Sequence, residues 1–197
     1  MEVVNIVCAG VGGQGILFAS KVISEVAFLE GDDVKANEIH GMAQRGGSVI
    51  SQIRFGKKVY SPLIKKGTAD FLVALEKLEG LRFADYLKID GIAIVNDYEI
   101  LPPSASSGLS EYPENIEGLL AQSFKNLYLI KAAEIASELG DVRTTNTILL
   151  GALSTFLQFE EKNWKVVLEN VLKEKAIDIN WNAFLKGRAI LCSGMKK

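Results

Sequence analysis

The segment that most constrains the fold is "GVGGQG", Gly10 to Gly15. It follows the apolar, β-branched run Val3–Ala9, which is typical of a strand buried in a parallel sheet. It precedes a helical pattern of apolar residues that begins at Ile16 and ends at Leu29. Glycines between a strand and a helix allow a tight turn and close packing of the two elements. The chain is therefore predicted to open with the first strand and helix of a Rossmann-like fold.

The rest of the chain alternates strand and helix patterns up to about residue 140. Strands are predicted at Val34–Asn37, Ser48–Gly56, Asp70–Leu75, Gly91–Asn96 and Leu127–Ile130, and helices at Glu76–Tyr86, Ile116–Phe124 and Lys131–Leu139. The strand at Ser48–Gly56 is predicted to turn through "GKK" into "VYS" as a hairpin, and Pro102–Pro113 is predicted to be a loop.

The end of the chain is predicted to be helical. Thr144–Phe159 is apolar on nearly every side of a helix, so we expect it to be buried or covered by a partner. Glu160–Lys175 and Asn180–Cys192 have amphipathic patterns. The predicted architecture is α/β: a Rossmann-like, mostly parallel sheet flanked by helices, with a helical C-terminal end. We expect one domain over residues 1–197, in which the helical part covers about 144–197.

Composition and charge exclude several classes of protein. The net charge of −2 offers no concentrated basic face for nucleic acid. No apolar run approaches the roughly 20 residues that span a bilayer, and the first residues lack the basic start of a signal peptide. We therefore expect a cytoplasmic protein that binds neither nucleic acid nor membrane.

The two cysteines, Cys8 and Cys192, limit the redox chemistry of the chain. They form no CxxC pair and cannot supply a four-cysteine cluster or a closed zinc site. Cys8 lies in an apolar run, which favours a buried structural thiol over a reactive one. Any iron–sulfur chemistry connected with this protein is expected on another chain.

The glycine segment indicates an anion-binding turn. Gly10, Gly12 and Gly15 have the GxGxxG spacing, and the N-terminus of the following helix offers free N–H groups with a partial positive charge. Glu38 lies at about the distance at which a nicotinamide enzyme places its ribose-binding acid. Gly13 and Gln14 are unusual in such a motif. The alternative is that these glycines serve a tight turn, close packing or the approach of another subunit's backbone.

A second polar segment, "HGMAQRGGSV", follows Ile39. Its glycines leave the backbone free to adopt positive φ, and its polar groups can face an anion or a carboxylate. The candidate site residues in this segment are Gln44, Arg45, Gly46, Gly47 and Ser48. The alternative is a solvated turn. No partner for a catalytic role of His40 is evident, so a structural histidine is favoured.

Several segments together resemble the gamma-type subunit of 2-oxoacid:ferredoxin oxidoreductases. They are "GVGGQG", "GMAQRGGSV", "SQIRFG", "YSPLI", "TADFLVALEKLEGLR" and "GIAIVN", with a weaker likeness at "NTILLGAL". Within that family the chain is most similar to the small subunit of the indolepyruvate enzymes. The resemblance runs from the N-terminus to about Pro103.

The resemblance implies an oxidative decarboxylation of a 2-oxo acid, with indolepyruvate or another aryl pyruvate as the substrate. In such enzymes the acid adds to thiamine diphosphate, electrons pass through iron–sulfur clusters to ferredoxin, and the product leaves as an acyl-CoA. The family places the thiamine diphosphate, its Mg²⁺ and the clusters mainly on a larger partner subunit. This chain would then be a necessary subunit that is inactive alone, with no catalytic residue of its own assigned. Its glycine segment would keep an anion-binding backbone, and a domain of this type would help to hold coenzyme A or close the site.

Two other functions remain open from the residues. A free-standing NAD-binding dehydrogenase is supported by the glycine segment and Glu38, and a non-catalytic assembly domain is supported by the apolar helix at Thr144–Phe159.

Overall fold

The computed structural model of the chain describes residues 3–40, 46–101 and 112–194. Six strands form one sheet in these residues. They are β1 Val4–Val11, β2 Asp33–His40, β3 Ser48–Gly56, β4 Ala69–Ala74, β5 Leu87–Asn96 and β6 Asn126–Ile130.

The sheet is mostly parallel and has the order β2-β3-β1-β4-β5-β6. Strands β1, β4, β5 and β6 run parallel to one another, and β3 pairs antiparallel with both β1 and β2. Strand β1 is in the interior of the sheet and is buried from Ile6 to Val11, because helices cover both of its faces. The predicted α/β architecture is confirmed.

Seven α-helices accompany the sheet in the described residues. They are α1 Ile16–Leu29, α2 Lys77–Arg82, α3 Ile116–Ser123, α4 Ala132–Glu138, α5 Thr145–Ser154, α6 Glu161–Val171 and α7 Glu174–Gly194. Single 3₁₀ turns follow α2 at Ala84–Tyr86 and precede α5 at Val142–Thr144.

Alternation along the strands divides the core into two layers. Ile6 and Cys8 of β1 face the cluster that contains α1 and α4 to α7, whereas Val7 and Ala9 face the cluster that contains α2 and α3. Successive strand side chains point to opposite faces, so a continuous apolar strand supplies both layers. Cys8 is completely buried, as predicted, and burial raises the pKa of its thiol to about 12.

The predicted hairpin after β3 is wrong. Strand β3 instead forms a hairpin with β2, in a register that runs from Asp33 opposite Gly56 to His40 opposite Val49. Residues 57–68, including "VYS", contain no strand. The reason is burial: Val59 and Ile64 insert into the core and hold this segment as a loop. Strand β2 also extends to His40, beyond the predicted end at Asn37.

The C-terminal helices pack closely because two glycines face each other's backbone. A Cβ atom at Gly151 of α5 would overlap the Phe184 carbonyl of α7, and one at Gly187 of α7 would overlap the Ile148 carbonyl of α5. Every residue of α5 from Asn146 to Ser154 is buried, which confirms the predicted burial of this helix. It ends at Ser154, five residues earlier than predicted.

We expect Gly187→Ala to destabilise the chain by about 3 kcal/mol or more, because the new methyl group forces α5 and α7 apart. Alanine is a better helix former than glycine by about 1 kcal/mol, so a stabilising result would show that the helices yield at little cost. The free energy of unfolding in urea measures the change. Lys186→Ala, at the neighbouring exposed position of α7, is the control and should change it by less than about 0.5 kcal/mol.

No helix in residues 3–40, 46–101 and 112–194 is both long and apolar enough to cross a lipid bilayer.

Candidate functional site

The glycine segment lies at the carboxyl end of β1 and turns the chain into α1. Gly13 and Gly15 adopt positive φ angles of 102° and 86°. Gly15 is the N-cap of α1 and offers no capping side chain, and the first turn of α1 contains no acidic residue. The N–H groups at the start of a helix have no partner within the helix and carry a partial positive charge. The turn therefore favours an anion in front of α1.

Gln14 uses its side chain to fix this turn. Its Oε1 atom accepts a hydrogen bond from the Val11 N–H at 2.7 Å, and its Nε2 atom donates to the Leu75 carbonyl at 3.1 Å. A Cβ atom at Gly10 would lie 2.9 Å from Gln14 Oε1, so glycine at position 10 makes room for the bridge. The unusual polar amide in the motif thus ties the end of β1 to the end of β4.

The same row of hydrogen bonds continues across the sheet. The Leu75 carbonyl also accepts from Asn96 Nδ2 at 3.1 Å, and Asn96 Oδ1 accepts from the Ala133 N–H at 3.3 Å. Asn96 ends β5, and Ala133 lies in the first turn of α4. Side-chain amides therefore connect the carboxyl ends of β1, β4 and β5 with the helix that follows β6.

The segment Gly46–Ser48 is attached directly to the glycine turn. The Gly12 N–H donates to the Gly47 carbonyl at 2.8 Å, and the Gly46 N–H donates to the Gly12 carbonyl at 3.5 Å. These bonds occupy both main-chain groups of Gly12. Gly12 therefore orders the neighbouring segment, and other groups of the turn are left for a ligand.

Ser48 is held from the other face of the sheet by α2. Its hydroxyl donates a short hydrogen bond to Glu79 Oε2, and Glu79 Oε1 accepts from Arg82 Nε at 3.2 Å. Burial raises the pKa of Glu79, and the hydrogen bond from Ser48 and the charge of Arg82 oppose that rise. A buried carboxylate thus anchors the end of the polar segment.

The turn between β4 and α2 is fixed by further buried charges. Glu76 caps α2 by accepting from the Glu79 N–H at 2.8 Å, and it accepts from the Tyr112 hydroxyl at 2.6 Å. The Lys77 ammonium lies 2.8–3.1 Å from carboxylates of Asp97, Glu99 and Glu117. Burial lowers the pKa of Lys77, but these hydrogen bonds outweigh it and raise the pKa above the usual value.

A cavity of about 480 Å³ opens in front of these elements. Its floor is the glycine turn and the ends of β4 and β5, and its wall comes from the segment after β5 and the turn before α5. The lining residues are Gly13, Gln14, Gly15, Leu75, Asn96, Tyr98, Ile100, Ala133, Val142, Arg143, Thr145 and Asn146. Strand order changes direction between β1 and β4, which is where open α/β sheets bind ligands.

Arg143 is the cation of this cavity. Its guanidinium makes a two-pronged pair with Asp141, with Nη2 to Oδ2 at 2.6 Å and Nε to Oδ1 at 2.8 Å. Hydrogen bonds from Arg143 lower the pKa of Asp141 to about 2, so the pair stays charged at neutral pH. The Arg143 side chain is 86% exposed and can turn toward a ligand. Asn146 faces Gly15: a Cβ atom at position 15 would overlap the side-chain amide of Asn146.

Sequence reasoning missed Arg143, Asn146 and Tyr98. They lie far from the glycine motif along the chain, and the fold brings them to it. For Arg143 and Asn146 the available signal was the run "RTTNT" at the start of the buried helix, which contains a cation and side chains able to hydrogen-bond.

The structure brings together some of the predicted residues. Gly10, Gly12, Gly13, Gln14 and Gly15 form the turn, and Gly46, Gly47 and Ser48 pack beside it. Glu38 is not brought to the cavity: it is an exposed residue of the edge strand β2, opposite Ser51 of β3. Because β3 lies between β2 and β1, Glu38 is about 10 Å from β1 across two strand spacings. Gln44 and Arg45 lie outside the described residues.

We expect Gln14→Glu to lower the free energy of unfolding by about 1–3 kcal/mol. A carboxylate can still accept from the Val11 N–H but has no donor for the Leu75 carbonyl. A carboxylate oxygen would then face the carbonyl oxygen of Leu75 in a half-buried site, and the two negative groups would repel each other. Urea unfolding at neutral pH measures the loss. Gln122→Glu, on the exposed surface of α3, is the control, and an equal effect of both changes would show that the bridge adds no stability.

The fold is that of an α/β protein with a candidate binding cavity at the carboxyl ends of its parallel strands. Residues 5–190 match the family model described as pyruvate ferredoxin/flavodoxin oxidoreductase, and the chain belongs to this family.

The chain is 40% identical over 189 residues to the indolepyruvate oxidoreductase subunit IorB of Pyrococcus horikoshii, a match that covers 93% of this chain and 94% of that protein. The keto/oxoacid ferredoxin oxidoreductase gamma subunit of Geobacter sulfurreducens has a similar structure. Its TM-score is 0.72 at 19% identity, with 96% of this chain and 99% of that chain covered.

A third similarity is to a larger protein. The 2-oxoglutarate:ferredoxin oxidoreductase of Magnetococcus marinus, solved with 2-oxoglutarate, coenzyme A and succinyl-CoA bound, matches with a TM-score of 0.75 at 22% identity. The match covers 98% of this chain and 32% of that chain, so the same fold occurs there within a longer polypeptide. The prediction of a small subunit of a 2-oxoacid:ferredoxin oxidoreductase is confirmed over the dehydrogenase and assembly-domain alternatives.

Proposed function

We propose that this chain is the small subunit of an enzyme that oxidatively decarboxylates indolepyruvate or a related aryl pyruvate to an acyl-CoA and passes the electrons to ferredoxin. The observation that carries the proposal is the likeness to IorB, which extends over nearly the whole of both chains.

The redox and thiamine chemistry is assigned to a larger partner subunit. This chain contains two cysteines, of which Cys8 is buried in the core, so it cannot supply the four thiolates of an iron–sulfur cluster. Within residues 3–40, 46–101 and 112–194 no group of three or more His, Cys, Asp or Glu side chains could hold a metal ion. The cysteine count supports our proposal that the iron–sulfur clusters lie on the partner, and we propose the same location for thiamine diphosphate and its Mg²⁺.

The cavity at the glycine turn is proposed to hold part of coenzyme A. The start of α1 and Arg143 suit phosphate groups, and Tyr98, Ile100 and Val142 offer an aromatic and apolar wall. An adjoining cavity of about 600 Å³ shares Arg143 and Asn146 and has Lys173 and Lys175 in its lining. The two cavities adjoin at Arg143 and Asn146, so together they suit a long molecule with several phosphates.

These residues would bind and orient the coenzyme and would not take part in bond formation. When bound, coenzyme A supplies the thiol that accepts the acyl group. The glycine turn would fix the phosphates, so the thiol end can extend toward the partner's active centre. Gln44 and Arg45 are proposed to complete the site or the subunit junction, because Arg45 directly precedes the Gly46 that is bonded to the glycine turn.

Reconstitution tests the function. The chain and its large subunit, mixed together, should reduce ferredoxin with indolepyruvate and coenzyme A, whereas this chain alone should contain no iron and show no turnover. Metal analysis and the 2-oxo-acid-dependent reduction of ferredoxin or a viologen dye provide the two measurements. Stoichiometric iron with turnover by the single chain would contradict the proposal.

For the coenzyme site, we expect Arg143→Ala to weaken coenzyme A binding roughly tenfold to a hundredfold, since a hydrogen bond to a charged group contributes about 1.5–3 kcal/mol. Calorimetric titration of the reconstituted complex measures the dissociation constant. Asp141→Asn releases the guanidinium and should leave affinity equal or higher.

The control for that measurement is Lys125→Ala. Lys125 is an exposed cation that pairs with Asp90 at 2.6 Å, near the amino ends of β5 and β6 and away from the cavity. If Arg143→Ala and Lys125→Ala bind coenzyme A alike, the assignment of Arg143 is wrong even if the complex turns over.

A further inference from the structure

The loop of residues 57–68, between β3 and β4, is fixed by two buried side chains and by hydrogen bonds to its main chain. Val59 and Ile64 are 2% and 6% exposed and anchor it in the core. The Val59 N–H donates to Asp33 Oδ2 at 3.0 Å, and the Ile64 N–H donates to Gln52 Oε1 at 2.6 Å. The segment between these anchors therefore has a fixed course over the surface.

Arg54 supports the middle of this segment. Its Nη1 atom donates to the Ser61 carbonyl at 2.9 Å and to the Leu63 carbonyl at 3.3 Å. The guanidinium thus fills the space beneath the loop and is directed at its backbone. Pro62, between these two residues, further restricts the conformation.

This fixed loop displays large apolar side chains to solvent. Tyr60 is 89% exposed, the highest value among the exposed large hydrophobic residues of the described chain, and Leu63 is 59% exposed. The backbone bonds prevent these side chains from folding back into the core. Because the loop backbone is already ordered, binding through Tyr60 loses little backbone conformational entropy, which favours its use as an interface anchor.

The sequence on either side of these two residues is basic. Lys57, Lys58, Lys65 and Lys66 flank them, and residues 55–69 contain no aspartate or glutamate, although the whole chain has a net charge of −2. Lys58 lies 3.6 Å from Asp33, and Lys66 lies 2.7 Å from Asp85. Lys57 and Lys65 have no carboxylate partner among the described residues. The loop is thus a locally basic surface on a weakly acidic chain.

We infer that residues 57–66 form a docking surface for the large subunit, and that the matching surface there is an apolar recess ringed by acidic residues. Tyr60 and Leu63 would fill the recess, and the lysines would face the carboxylates. The inference rests on the proposed function for the identity of the partner. Charge complementarity selects an acidic protein surface, and the fixed apolar pair favours a protein over a purely electrostatic ligand.

Binding of this chain to the purified large subunit tests the inference. We expect the double variant Tyr60→Ser with Leu63→Ser to raise the dissociation constant at least tenfold. The double variant Lys57→Glu with Lys65→Glu should slow association and flatten the dependence of affinity on salt. Surface plasmon resonance at several salt concentrations measures both, and circular dichroism should show unchanged melting temperatures because all four side chains are exposed.

Matched changes elsewhere on the surface provide the controls. Phe28→Ser removes an aromatic side chain that is 71% exposed on α1, and Lys186→Glu reverses an exposed charge on α7. If these variants lose as much affinity as the loop variants, or if the loop variants bind normally, the docking assignment is wrong. Failure of the unaltered chain to bind the large subunit would instead refute the proposed function.

Two other partners are outcomes of the same test. Vesicles of phosphatidylcholine with phosphatidylserine, and duplex DNA, present anionic surfaces to the same lysines. Binding to either that disappears in the Tyr60 and Leu63 double variant, with subunit binding intact, would overturn the inference.

Discussion

The Leu75 carbonyl accepts hydrogen bonds from two side-chain amides, and the arrangement of the strand ends depends on this pair. Gln14 reaches it from the turn after β1, and Asn96 reaches it from the end of β5. Parallel strands leave main-chain groups unpaired where they end, and a buried unpaired carbonyl would cost about 1–3 kcal/mol. Satisfying one carbonyl from both sides fixes three strand ends relative to one another and forms the floor of the cavity.

The glycines near this floor have distinct physical roles. Gly10 leaves room for the Gln14 side chain, Gly12 shares its main-chain groups with the polar segment, and Gly15 makes room for Asn146. Gly13 has open space around its missing Cβ and a positive φ, so its role is conformational. The motif therefore couples the turn to two distant parts of the chain.

Local patterns predicted those parts of the fold that depend on local sequence. The apolar run of β1, the glycine turn and the period of α1 were evident because each uses neighbouring residues. The order of the strands was not evident from the sequence. An apolar strand such as β3 has the same pattern whether it pairs with β2, with β1 or with a following segment. Val59 shows why: its side chain is apolar and β-branched, yet it anchors a loop.

The candidate site, too, was predictable only where its residues are neighbours in the sequence. Gln14 was recognised as unusual, but its role depends on Leu75, which is 61 residues away along the chain. Glu38 has the sequence spacing of a ribose-binding acid, and the insertion of β3 between β2 and β1 separates it from the turn. Arg143 and Asn146 reach the cavity through the packing of α5 against α1 and α7, which no local pattern encodes.

The two main-chain hydrogen bonds that join Gly12 to Gly46 and Gly47 have a consequence for how the sequence of such a subunit can diversify. The five residues 41–45 begin where β2 ends and stop where the backbone is already bonded to the glycine turn. Both ends of this connection are set by main-chain hydrogen bonds, which any amino acid other than proline can provide. Substitutions between those ends can thus change the side chains of this connection while the sheet register stays the same, so its sequence can vary without a cost to the pairing of β2 and β3.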